Sequence, residues 1–293
     1  MKKFVIYTDS SCDLNSGILN NLDIKVLGLT CSLKDVDYIE ENILNSGYTD
    51  FYNILRDDKV VPTTSQVNSF RFKTAFENEI KNGNDILYIA FSSGLSGTYN
   101  ASCIAREEVL ETYPDAKIEI IDTKSASTGV GLLVLEAHKL KLEGKPLDEI
   151  KDYIVKLAPN IMHILSASSL DHLKRGGRIS ATTAFVGGLL NVKPLIYVDE
   201  EGMLLNFAKV KGNKKLLKTL VNLIQTNIVN PENQTLYISH AGCLDSVNLL
   251  IDMIKETITV KEIIVNYVGM VIGSHTGPDA LTIFFKGNGR IPK

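Results

Sequence analysis

Short apolar runs recur along the first half of the chain, each followed by a longer stretch with apolar residues every three or four positions. No other feature of the sequence narrows the fold as much. Phe4 to Tyr7, Lys25 to Thr30, Ile86 to Phe91 and Ile118 to Ile121 read as strands bounded by polar turns. Val67 to Lys81, Thr98 to Thr112 and Gly129 to Glu143 carry helical spacing, and Gly144 followed by Pro146 stops the last of them. This rhythm predicts a doubly wound, mostly parallel sheet, an architecture that places ligand sites in loops at the carboxyl ends of its strands.

The rhythm changes after Pro146. A helix from Leu147 to Ala158 meets a break at Pro159-Asn160, and Ile161 to Leu165 begins a new strand, so the domain boundary is expected there. Residues 1–160 form the predicted N-terminal α/β domain and residues 161–293 a C-terminal α+β domain with a mixed or antiparallel sheet. Within the second, Pro194 to Val198 and Met203 to Val210 form a hairpin around Asp199-Glu200-Glu201-Gly202, followed by a helix from Lys214 to Ile228. Strand Leu236 to Ser239, helix Leu244 to Thr257, and strands Glu262 to Tyr267 and Ala280 to Phe285 complete it.

Charge and composition narrow the function classes. With 31 Lys and Arg against 34 Asp and Glu, the net charge of -3 offers no field for a polyanion, so nucleic acid is not an expected partner. The apolar run at the N-terminus ends at Thr8-Asp9-Ser10-Ser11, far short of a signal-peptide core, and no stretch approaches the roughly 18 residues a membrane span requires. A soluble protein is expected. Cys12, Cys31, Cys103 and Cys243 include no CxxC pair, which suits free thiols in a reducing cytoplasm. Cys12 lies in a polar turn with nothing basic beside it, so a structural thiol is the reading there.

Four polar segments fall at strand ends or helix starts. Thr8-Asp9-Ser10-Ser11-Cys12-Asp13 reads as turn and capping chemistry. Val61-Pro62-Thr63-Thr64-Ser65-Gln66, placed before a helical run, offers three consecutive hydroxyls that either cap the helix or receive a carboxylate at its positive end. Ser92-Ser93-Gly94-Leu95-Ser96-Gly97-Thr98-Tyr99-Asn100 joins glycines to serine donors. It lacks the Gly-Lys-Ser/Thr ending of a phosphate loop and the dinucleotide glycine pattern, and Thr98 stands where a hydrolase elbow needs glycine. Gly269 to Pro278 reads as a shaped loop carrying His275 into a cleft, with His240 a weaker candidate of the same sort. His138, His163 and His172 show no metal-ligand spacing. One basic element, Leu173-Lys174-Arg175-Gly176-Gly177-Arg178-Ile179-Ser180, is either a solvated cluster or a turn that aims Arg175 or Arg178 at an anion.

In this order, Thr8-Asp9-Ser10-Ser11, Pro62-Thr63-Thr64-Ser65-Gln66, Ser93-Gly94-Leu95-Ser96-Gly97-Thr98-Tyr99-Asn100, Asp122-Thr123-Lys124-Ser125-Ala126-Ser127, Arg175-Gly176-Gly177-Arg178-Ile179 and Gly273-Ser274-His275-Thr276-Gly277-Pro278 resemble the DegV family across nearly the whole chain. That bacterial family includes fatty-acid-binding proteins that serve as the B subunits of fatty acid kinase. The resemblance implies two domains with a long-chain fatty acid such as palmitate buried between them, and no other cofactor. It implies carboxylate contacts from Thr63, Thr64, Ser93 and Ser96, with Thr64, Ser93 and Ser96 foremost and His275 nearby. It places Arg178 at the exit face, where the ATP-binding catalytic subunit docks and supplies the phosphoryl chemistry. Ala184 to Leu190 is a candidate for part of the tail channel, and a packing helix explains that segment equally well. Two rival readings stand beside the carrier: a serine-dependent enzyme on a small acyl substrate, with Ser96 as nucleophile and His275 as base, and a ligand-sensing regulator.

Overall fold

The computed structural model describes residues 3–19, 21–40, 47–57, 60–180 and 191–293. The first part of the chain runs β1 (Phe4–Asp9), α1 (Ser16–Leu19), β2 (Ile24–Leu27), β3 (Thr30–Leu33), β4 (Val36–Ile39), α2 (Tyr48–Leu55), β5 (Thr63–Ser65), α3 (Ser69–Lys81), β6 (Asp85–Ala90), α4 (Thr98–Thr112), β7 (Ile118–Asp122), α5 (Thr128–Leu142) and α6 (Leu147–Leu157). The remainder runs β8 (Ile161–Ser166), α7 (Asp171–Arg175), β9 (Val192–Val198), β10 (Leu204–Lys211), α8 (Asn213–Asn227), β11 (Thr235–His240), α9 (Leu244–Thr257), β12 (Glu262–Tyr267), α10 (Met270–Thr276) and β13 (Leu281–Lys286).

The protein is mixed α/β. A parallel sheet, ordered β2-β1-β6-β7, carries helices on both faces. Side chains alternate across a strand, so Val5, Tyr7 and Tyr88 join Phe72 and Phe76 of α3 on one face, while Ile6, Leu87 and Ile89 join α5 and α6 on the other. A separate mixed sheet, ordered β10-β9-β8-β13-β11-β12, is built wholly from Ile161 onward, with β11 and β12 its parallel pair. One of its faces packs on α8 and α9 through Ile164, Ile238 and Phe285. Its other face brings Tyr237 and Phe284 against the α5 side of the parallel sheet. Helix α5 therefore lies between two sheets, and residues 128–134 are buried around its whole circumference.

Three expectations change. Lys25 to Thr30 is not one strand: the chain breaks at Gly28-Leu29, where Ser10 Oγ accepts from Leu29 N, and continues as β3 in a small antiparallel sheet ordered β4-β3-β5. The hydroxyls of Val61 to Gln66 do not open a helix. Thr63 to Ser65 is strand β5, paired with β3, and α3 begins later with Asn68 as its cap, whose side chain accepts from Arg71 N. The third is the Gly269 to Pro278 segment, which contains helix α10. Its first free N–H groups are met by carboxylates far away in sequence, Asp13 receiving Gly269 N at 3.0 Å and Glu40 receiving Met270 N. Among the described residues no helix is long and apolar enough to cross a membrane.

Candidate functional site

A cavity of about 350 Å³ lies where the carboxyl-end loops of the parallel sheet face the second sheet. That volume falls at the lower end of the range of small-molecule sites. Apolar side chains make most of its wall, among them Leu29, Phe91, Leu95, Leu165, Ile272 and Phe284. Single apolar residues, whether in strands β8 and β13, in helix α10 or in the loops between elements, carry no sequence signal that separates a cavity wall from ordinary core.

The polar groups in the wall arrive on several elements, among them β5, the loop before α4, the turn after α7 and α10. Strand β5 alternates, so Thr64 faces inward opposite Cys31 while Thr63 is exposed on the other face and does not line the cavity. Thr64 Oγ1 lies 2.7 Å from His275 Nε2, which joins β5 to α10. Burial, with the nearby Arg178 charge second, pulls the His275 pKa down to about 4, so the imidazole is neutral at pH 7.

The loop from Ser92 to Gly97 is pinned at its base. The carboxylate of Asp9 receives Phe91 N at 3.1 Å and the Tyr88 hydroxyl at 2.6 Å, and it also caps the turn that follows β1 by accepting from Ser11 N. Ser92 Oγ donates to the Gly202 carbonyl in the β9–β10 turn. Ser96 lines the cavity, and its Oγ accepts from Thr98 N and pairs with Thr98 Oγ1 at 2.9 Å. Ser93 stands off the wall: its N–H donates to Asp122 and its hydroxyl accepts from Lys124 at 2.7 Å.

The two glycines after α7 act for separate reasons. Gly177 adopts φ +69°, and the bonds from Gly177 N to Lys174 O and from Arg178 N to Leu173 O close the helix as a Schellman motif. That turn sends Arg178 back to the cavity wall, where its Nε donates to Leu95 O at 3.1 Å. Gly176 has ordinary helical angles but lies against the imidazole, and a Cβ there would stand 2.1 Å from His275 Nδ1. Burial lowers the Arg178 pKa, and among the described residues no carboxylate forms an ion pair with its guanidinium.

The structure thus brings Thr64, Ser96, Arg178 and His275 to one cavity and leaves Thr63 and Ser93 outside its wall. Ala184 to Leu190 falls outside the described residues. Cys12 is fully buried and its thiol pKa is pushed far up by burial, so it is inert in this fold. Among the described residues no group of His, Cys, Asp and Glu is placed to hold a metal ion.

A family model described as an uncharacterised protein of the DegV family matches residues 3–288. The chain belongs to the DegV family. A DegV domain-containing protein of Clostridium perfringens is 51% identical over 294 residues, covering the whole of both chains. One from Streptococcus pyogenes is 36% identical over 288 residues, covering 97% of this chain and 98% of the relative. Among solved structures, a DegV family protein from Thermus thermophilus described for its fatty acid binding superposes with a TM-score of 0.86 at 29% identity, covering 98% of this chain and all of that one. A DegV lipid-binding protein from Thermotoga maritima superposes with a TM-score of 0.84 at 26% identity, covering 99% of this chain and all of that one.

Proposed function

We propose that this DegV protein binds a long-chain fatty acid such as palmitate, with the tail in the apolar cavity and the carboxylate against Thr64, Ser96, His275 and Arg178. The observation that carries the reading is a mostly apolar cavity with a half-buried guanidinium in its wall and no described carboxylate paired with it. A half-buried guanidinium bonded only to backbone carbonyls lacks a counter-charge, and an ionised headgroup supplies one. Each methylene taken from water contributes about 0.8 kcal/mol, which favours a long chain. The fatty acid binding described for the Thermus thermophilus relative supports the same ligand class.

We further propose that residues 1–160 and 161–293 act as two domains holding the acid between them, and that the protein works in the bacterial cytoplasm as a non-catalytic subunit. On this reading Arg178 stands where the carboxylate meets a separate ATP-dependent fatty acid kinase, which carries out phosphoryl transfer. The free state of all four cysteines agrees with a reducing compartment. Ser96 Oγ is engaged by Thr98, and His275 Nε2 by Thr64, so the two do not form the nucleophile–base pair that a hydrolase needs.

The test is mass spectrometry of the purified protein under native and then denaturing conditions. A released long-chain fatty acid near one per chain supports the proposal. A ligand-free mass that does not change on adding palmitate overturns it.

A further inference from the structure

Thr276 is 5% exposed, lines the cavity, and has a hydroxyl with no hydrogen-bond partner among the described residues. The other buried hydroxyls of the wall are engaged by protein: Ser127 with Asp13, and Thr282 with the Ser239 carbonyl. The half-buried ones are engaged too, Thr64 with His275 and Ser96 with Thr98. A hydroxyl buried without a partner is costly, and native proteins seldom leave one so unless something else fills the site. Thr276 follows His275 on α10, so both stand at the same end of that helix. One turn back, Ile272 continues the same row as apolar wall, which puts Thr276 at the border between polar headgroup and tail.

We infer that Thr276 is a further ligand-binding residue, its Oγ1 donating to one carboxylate oxygen of the bound acid while Thr64, His275 and Arg178 face the other. An ionised carboxylate accepts at both oxygens, and no single-oxygen headgroup such as an alcohol satisfies both sides at once. Thr276 is on this account a determinant of carboxylate recognition. The inference rests on the fatty-acid reading above.

The test compares wild type, Thr276→Val and Thr276→Ser for affinity towards laurate, myristate and palmitate, with thermal unfolding of the ligand-free proteins as a check on folding. Valine keeps the shape and removes only the hydroxyl; serine keeps the hydroxyl. Thr276→Val is expected to weaken all three acids by the same factor, about tenfold or more, as for one charge-assisted hydrogen bond, with Thr276→Ser near wild type. Unchanged affinity in Thr276→Val overturns the inference, and so does a loss that grows with chain length, which marks a tail contact. A wild-type protein that binds none of the acids overturns the fatty-acid reading itself.

Discussion

Replacing Gly176 by alanine isolates the steric demand that places His275. Gly176 has φ −72° and ψ −8°, angles that alanine adopts freely, so by backbone entropy alone the change is stabilising by roughly 0.4–1 kcal/mol. The added Cβ, however, would stand 2.1 Å from His275 Nδ1, where ordinary contact begins at 3.4 Å, so the ring must give way by more than about 1 Å. It has no free direction along the ring plane, because Nε2 on the far edge is already 2.7 Å from Thr64 Oγ1. The imidazole therefore rotates out and the Thr64 bond is lost. The lost ligand donor is worth about 1–2 kcal/mol, so palmitate affinity is expected to fall roughly tenfold, while the lost Thr64 bond, about 1 kcal/mol, is largely offset by the backbone-entropy gain and thermal stability changes little. A double-mutant cycle with His275→Ala, read by displacement of a fluorescent fatty acid, separates this from a general disturbance. In the His275→Ala background the alanine at 176 is expected to cost nothing further. Wild-type affinity in the single variant, or an undiminished penalty in the double one, refutes the reasoning.

Two further outcomes follow from buried charge. Glu40 is fully buried beside Asp13, and burial pushes its pKa up to about 7 from an ordinary 4.5. The folded state thus holds the proton more tightly than the unfolded one, and stability is lost as pH rises from about 4.5 through 7. Glu40→Gln, whose Oε1 still accepts from Met270 N, is expected to add up to about 3 kcal/mol at pH 8 and much less at pH 5, measured by urea unfolding at both; an equal effect at the two pH values rules the account out. Arg290 is 4% exposed and donates to the carbonyls of Thr123, Lys124 and Ala158, fastening the C-terminal end to the loop after β7. Arg290→Met leaves those carbonyls unpaired and is expected to cost about 3 kcal/mol by the same assay, with a loss below about 1 kcal/mol counting against the clamp.

How legible all this was depends on where the stabilising partner lies. The core strands β1, β6, β8 and β13 follow from local apolar pattern, since each is buried on both faces along nearly its whole length. Helix α10 was invisible because Val271-Ile272-Gly273-Ser274 is poor in helix formers, and its N–H groups are satisfied by Asp13 and Glu40, more than 200 residues earlier. Strand β5 departs from the local pattern for a related reason: three hydroxyls before a helix imitate a cap, while the pairing with β3 that makes them a strand is not local. The motifs marked the right loops and did not say which face each side chain takes. Period-two alternation turns Thr63 away from the cavity, and Lys124 holds Ser93 outside it.

The contact between the Ser92–Gly97 loop and the β9–β10 turn is made of main chain at Gly94 and of one short side chain, Ser92, at Gly202. A Cβ on Gly94 would stand 2.7 Å from the Glu201 carbonyl oxygen, and one on Gly202 would stand 2.0 Å from Ser92 Oγ. Val198 and Leu204, which flank that turn, and Leu95 and Ser96, within that loop, all reach the cavity. With only the Ser92 hydroxyl interposed, the spacing of these two walls is close to a backbone dimension and leaves little room for substitution to trim it. They form the fixed jaw of a clamp. Val271 and Ile272 of α10 line the same cavity with whole side chains, so substitution there changes its volume without touching that contact.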